Sequence, residues 1–137
     1  MQNRCHWCGE DPEYIAYHDN EWGRPNKDDQ KLFESLILES FQSGLSWITI
    51  LKKREYFREA FDDFNAEKIA NYDEKDIQRL MSNKNIIRNR LKIEATIQNA
   101  KSLLSLRKKG ITLSQFVWEI TNQEVLQPRF TNSRELP

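Results

Sequence analysis

Residues 28–64 read DDQKLFESLILESFQSGLSWITILKKREYFREAFDDF, and the spacing of their apolar side chains decides the fold. Asp28 and Asp29 precede Leu32, Phe33, Leu36, Ile37 and Phe41, which is the recurrence of an amphipathic helix with acidic residues at its positive end. Gly44 interrupts that pattern. Leu45 to Leu51 then predicts a second helix, apolar on most sides and therefore buried, that turns amphipathic through Tyr56, Phe57, Ala60, Phe61 and Phe64.

Outward from this pair the chain stays helical. Asp73 suits the N-cap of a short helix over Glu74 to Met81, and a polar connection, Ser82 to Asn85, leads to a long helix. The stripe of that helix is Ile93, Ile97, Ala100 and Leu104, and Gly110 stops it. Thr112 or Ser114 opens a last helix through Phe116, Val117 and Ile120. No segment alternates with period two, and there is no repeat, low-complexity run or linker. The expected fold class is all-α, with residues 1–137 forming one domain.

Composition agrees with a folded domain. The chain has 137 residues, 31% charged and 38% apolar, enough for one sizeable core and too rich in aromatic residues for disorder. No apolar run approaches the roughly 20 residues of a membrane span, and MQNRCHWCGE at the N-terminus has no apolar signal region. A cytoplasmic protein without a membrane partner is the expectation, acting as a monomer.

A formal net charge of zero hides an asymmetry. Nine Lys or Arg lie between Arg79 and Lys109 against the single Glu94, so this segment carries +8 and the remainder −8. One reading is a solvated helix face. Another is a nucleic-acid footprint, because clustered cations neutralise phosphates even on a neutral molecule. The hairpin between Met81 and Ile93, SNKNIIRNRLKI, favours the second reading. Two helices joined by about four residues present first-turn N–H groups to a phosphate, and Arg88, Arg90 and Lys92 add charge at that end. Such a grip holds duplex DNA by its backbone without reading sequence.

Around Tyr14 to Gly23, YIAYHDNEWG, rings and carboxylates crowd together in a way that packing alone would not select. Glu39 projects near Leu32 and Leu36, which puts a carboxylate on or beside the face expected to be buried. It is either a structural acceptor or part of a polar pocket. Tyr17, Trp22 and Trp47 could line the same space, and aromatic faces beside a carboxylate suit a flat, electron-poor or cationic ring.

Cys5 and Cys8 form a CxxC with His6 inside it, and His18 follows ten residues after Cys8. Thiolate and imidazole are zinc ligands, of which a tetrahedral structural site needs four. The competing reading is two free thiols in a reducing compartment.

Four segments, RCHWC, DPEYIAYHDNEWG, LFESLILESFQSGLSWITILKKRE and IIRNRLKIEATIQNAKSLL, resemble the 3-methyladenine DNA glycosylase I family in order and spacing. The resemblance covers essentially the whole chain. It implies a helix-hairpin-helix repair enzyme that excises 3-methyladenine from alkylated double-stranded DNA by hydrolysing the N-glycosidic bond, without the catalytic aspartate of many such enzymes. By similarity Glu39 hydrogen-bonds the base, Tyr17 and Trp47 enclose its rings, and Trp7, Tyr14 and Trp22 complete or support the pocket. Gln42, Gly44 and Leu45 would approach the gap left by the flipped nucleotide, and Lys84, Arg88 and Arg90 would grip phosphate.

Two features depart from the family pattern. Asn85 stands where a hairpin glycine is usual, and Asn is the next residue best suited to a left-handed backbone. Relatives also continue beyond the position of Pro137 with a histidine and a cysteine that complete a zinc site with the matches of Cys5 and His18. On that pattern Cys5 and His18 are half a site: either Cys8 substitutes as a ligand, or no metal binds, or the chain is a truncated product with poorly tied ends. The activity expected is that of the glycosylase. The alternatives are a shortened glycosylase-like domain that binds DNA or methylated base without turnover, and a small zinc-stabilised helical module.

Overall fold

The computed structural model describes residues 3–127 together with Arg129 and Arg134. Among the described residues there are seven α-helices and no strand: α1 (Pro12–Asn20), α2 (Asp29–Gln42), α3 (Trp47–Ala60), α4 (Ala66–Ala70), α5 (Glu74–Met81), α6 (Arg90–Lys108) and α7 (Leu113–Glu119). The all-α expectation holds. The ends of the expected 1–137 domain lie partly outside the described residues.

Caps placed by the sequence define most helix starts. Asp11, Asp28, Asn65, Asp73, Asn89 and Thr112 each accept from a first-turn backbone N–H, which satisfies donors that the helix itself cannot. Asp73 and Asp76 close a capping box at α5, and Thr112 and Gln115 close another at α7.

One apolar core joins these helices. Phe33, Ile37 and Phe41 of α2, Ile50 and Phe57 of α3, Ile69 of α4, Leu80 of α5 and Ile93, Ala100 and Leu103 of α6 are buried in it. Phe41, Phe57, Phe61 and Phe64 run through its centre, with ring centroids 4.9 Å apart at Phe41–Phe57, 6.2 Å at Phe57–Phe61 and 6.0 Å at Phe61–Phe64. α7 buries Leu113 in the core and is also tied by hydrogen bonds to α2 and the segment before it. Leu113 and Ser114 N–H donate to the Asp29 carboxylate at 3.2 and 2.9 Å, and Trp118 Nε1 donates to the Asn26 carbonyl at 2.8 Å.

The structure corrects several local expectations. α3 begins at Trp47, with Leu45 left on the preceding turn, and it ends at Ala60. Asp62, Asp63 and Phe64 all take positive φ, so Phe61 and Phe64 reach the core from a turn and not from a continued helix. Leu36 is 47% exposed, because the buried stripe of α2 is set by Phe33, Ile37, Leu38 and Phe41. Ile120 lies beyond α7 and is 79% exposed.

The α5–α6 connection runs over residues 82–89, twice the expected length. Ile86 is buried and Ile87 half-buried, so this connection is drawn onto the core instead of turning tightly in solvent. Asn85 is not among the residues with positive φ; its N–H donates to the Asn83 side chain at 2.9 Å. The left-handed turn expected there is absent, since the longer path removes the need for it.

Candidate functional site

α1, α2 and α3, with the segments that flank α1, bring together the residues that the sequence scatters. The rings of Trp7 and Tyr14 lie 5.1 Å apart, Trp7 and Trp22 5.2 Å apart, and Tyr17 and Trp47 5.5 Å apart. Tilted and edge-on contacts of this kind suit aromatic quadrupoles and hold the rings without closing the space between them. That space is a pocket of about 250 Å³ lined by Trp7, Tyr14, Tyr17, Trp22, Glu39, Gln42 and Trp47. Every pocket residue expected from the sequence is on its wall, and Gln42 joins them.

Glu39 requires a correction. It lies on the exposed side of α2 and not on the buried face, and its carboxylate lines the pocket. Leu32 and Leu36 mark the edge of the apolar stripe, so a residue aligned with them opens to solvent. Among the described residues no hydrogen bond or ion pair occupies the Glu39 carboxylate, which leaves its acceptors free for a ligand. Burial, and after it the nearby Glu39 carboxylate, push the Tyr17 hydroxyl above its ordinary value, so Tyr17 is a neutral donor near pH 7. Trp47 Nε1 is buried without a hydrogen-bond partner in the protein.

Tyr17, Glu39 and Trp47 also form one end of a larger cleft, of about 520 Å³, whose walls are charged. Arg54 donates to both Glu21 carboxylate oxygens at 2.7 and 3.1 Å, and Arg58 is paired with Glu34 and Glu55. These pairs join α3 to the loop after α1 and to α2. Sequence spacing carried no sign of them, since Glu21 and Arg54 are 33 positions apart.

The turn between α2 and α3 is built around Gly44, whose φ of +81° is strained for residues with a side chain. Leu45 N–H donates to the Gln42 carbonyl at 2.7 Å, and Gln42 Nε2 donates to the Leu45 carbonyl at 2.7 Å. The turn therefore stands up beside the pocket with Leu45 37% exposed.

The basic end of α6 is less free than its charge count implies. Arg90 is held by Glu74 at 2.9 and 2.8 Å and by Glu94 at 2.8 Å; these bonds raise the Arg90 guanidinium further and lower the Glu74 carboxyl. Lys92 Nζ points into the protein and donates to backbone carbonyls of α2 and its turn. Lys84 and Arg88 are exposed on the connection and remain available to a phosphate.

At the N-terminus, Cys5 N–H donates to His18 Nε2 at 3.3 Å, His18 Nδ1 meets Asp19 Oδ1 at 2.9 Å, and Arg4 pairs with Asp19 at 2.8 Å. The Arg4 hydrogen bond, reinforced by that of His18, holds the Asp19 carboxyl down to about 2. Cys8 is buried and its thiol donates to the Cys5 carbonyl at 3.1 Å. Cys5 and His18 are neighbours as expected, but among the described residues no group of three or more His, Cys, Asp or Glu side chains could hold a metal ion. Cys5, Cys8 and His18 thus do not fit a tetrahedral zinc site on their own. Also among the described residues, no helix is long and apolar enough to cross a membrane.

Comparison with known proteins gives consistent matches. A family model described as methyladenine glycosylase matches residues 7–137. A DNA-3-methyladenine glycosylase of Haemophilus influenzae is 47% identical over 137 residues, which is 100% of this chain and 74% of the relative. A crystal structure of a 3-methyladenine DNA glycosylase I superposes with a TM-score of 0.96 at 45% identity, covering 98% of this chain and 74% of that one. A variant of a 3-methyladenine DNA glycosylase I in complex with 3-methyladenine superposes with a TM-score of 0.84 at 43% identity, covering 88% of this chain and 65% of that one. With the family pattern present from Trp7 onward and the helices superposing throughout, this chain belongs to the methyladenine glycosylase family.

Proposed function

We infer that this protein is a DNA glycosylase that binds a flipped 3-methyladenine in the aromatic pocket and hydrolyses its N-glycosidic bond. The observation that carries the reading is the pocket itself. Five large rings and one carboxylate with no partner among the described residues surround about 250 Å³, smaller than the roughly 300 Å³ at which drug-sized ligand sites begin, and suited to one base.

Methylation at N3 makes adenine a cationic ring and weakens its bond to the sugar. When that bond breaks, the electron pair goes to the ring and the base leaves neutral, while water adds to the sugar carbon and gives up a proton. Little acid catalysis is needed, so the protein's work is extraction, recognition and positioning. Glu39 accepts hydrogen bonds from the edge of the base and faces its positive charge, which normal adenine lacks. Tyr17 and Trp47 offer ring faces to that cation; Trp7 and Tyr14 pack on Tyr17, and Trp22 packs on Trp7.

Alkylated double-stranded DNA is the partner this assigns. The turn of Gln42, Gly44 and Leu45 stands where it can enter the gap left by the flipped nucleotide, and α5, α6 and their connection serve as the helix-hairpin-helix grip through Lys84 and Arg88. Arg90 contributes only where phosphate competes with Glu74 and Glu94. On this reading the chain acts as a monomer in the cytoplasm. Incubation with methylated duplex DNA, followed by chromatography of released bases, tests this: free 3-methyladenine is expected, and binding without release would replace the enzyme by a binding domain.

A further inference from the structure

The last carbonyls of α2 cannot be satisfied within the helix. Two carbonyls here, those of Phe41 and Ser43, accept from a single ammonium: Lys92 Nζ donates to them at 2.9 and 2.7 Å. Lys92 reaches them from the first turn of α6, about 50 positions away, with its own N–H bonded to the Asn89 cap at 3.1 Å. A positive charge at that point also complements the negative end of the α2 dipole. Two of the three ammonium donors are therefore spent on backbone, and Lys92 is unavailable as a phosphate contact.

The segment it grips matters to the site. Phe41 is in the core, Gln42 lines the pocket, Ser43 and Gly44 form the turn, and Ser46 leads directly into Trp47. We propose that Lys92 is a positioning residue: it fixes the turn of residues 42–46 against the helix that follows the DNA-gripping connection, and so holds Gln42 and Trp47 in register with the flipped base. The proposal rests on the reading of the pocket as the base site.

Lys92→Met keeps the stem and removes the donors; Lys92→Arg keeps the charge, but a planar guanidinium replaces the compact ammonium that converges on both carbonyls. Amide hydrogen exchange, read without DNA, should show Leu45 losing protection by about tenfold in Lys92→Met while the α6 amides hold theirs. Single-turnover excision at saturating DNA should fall by roughly 10- to 100-fold in both variants. The dependence of DNA affinity on salt should keep the wild-type slope in both, whereas a lost phosphate contact reduces the slope by about 1. Unchanged Leu45 exchange in Lys92→Met overturns the proposal. So does a reduced salt slope in Lys92→Met with wild-type behaviour in Lys92→Arg, which would make Lys92 a phosphate ligand. Failure of the wild-type chain to release base would sink the glycosylase reading alone, since the exchange measurement stands without it.

Discussion

Tyr17 on α1 and Trp47 on α3 face each other with ring centroids 5.5 Å apart and planes inclined at 48°. Both rings line the pocket together with Glu39, and no covalent or ionic tie joins them. The pair lines both the aromatic pocket and the charged cleft, so both spaces depend on how α1 packs on α3.

Removing one wall should cost binding more than folding. In Trp47→Ala, affinity for free 3-methyladenine should fall by an amount equivalent to about 1–3 kcal/mol, or roughly 5- to 150-fold, the usual contribution of one base–aromatic stack. Trp7 and Trp22 remain as fluorescent reporters for the titration. Equal affinity in the two proteins would remove Trp47 from the site.

Lys84 and Arg88 should act through charge alone. Replacing either with a neutral residue is expected to lower the slope of log affinity against log salt by about 1, with no change in preference between DNA sequences. A fluorescence anisotropy series from low to moderate salt measures this, and an unaltered slope in both variants would move the DNA grip elsewhere on the molecule.

The charge cluster at the N-terminus gives a pH dependence of known sign. Asp19 is held at about 2 by Arg4 and His18, below its ordinary 3.8, so folding favours its charged form. The stability it contributes is present in full above about pH 4 and is lost as pH falls toward 2. Thermal unfolding of wild type and Asp19→Asn should therefore differ above about pH 4 and converge as pH falls toward 2. A difference that persists undiminished at pH 2 would contradict the assigned pairing.

Asp29 joins the last helix to the rest. Its carboxylate accepts from Leu113 and Ser114 N–H, so Asp29→Ala should leave these donors without a side-chain partner and destabilise the protein by about 1–2 kcal/mol, with most of the lost protection confined to α7. Denaturant unfolding gives the first quantity and amide exchange the second.

Much of this was legible in the sequence, for physical reasons that also mark where legibility stops. Asp73 and the stripe behind it placed α5 at Glu74–Met81, because a cap and an amphipathic period are local properties. The aromatic residues of the pocket were legible as a group because so many rings outside the core stripe need another purpose. Glu39 was misplaced, since helical projection orders residues around an axis without saying which side meets the core; that was decided by Phe33, Ile37 and Phe41 meeting α3. The α5–α6 connection was read as four tight residues because its polar start looked complete, while Ile86 was pulled inward by tertiary packing. Lys92 was read as a DNA-facing charge, because a charge count cannot see carbonyls 49 and 51 positions away.

The central claim is that the Glu39 carboxylate, without a partner among the described residues, recognises the cationic base that the enzyme removes. Release of 3-methyladenine from methylated duplex DNA, compared between wild type and Glu39→Gln, tests it most directly. Glu39 is exposed and has no partner among the described residues, so the substitution should change stability by less than about 0.5 kcal/mol. Excision should nonetheless fall by roughly 10- to 100-fold, the loss of one or two hydrogen bonds to a charged group in the transition state. Equal rates of release by the two proteins would contradict the account.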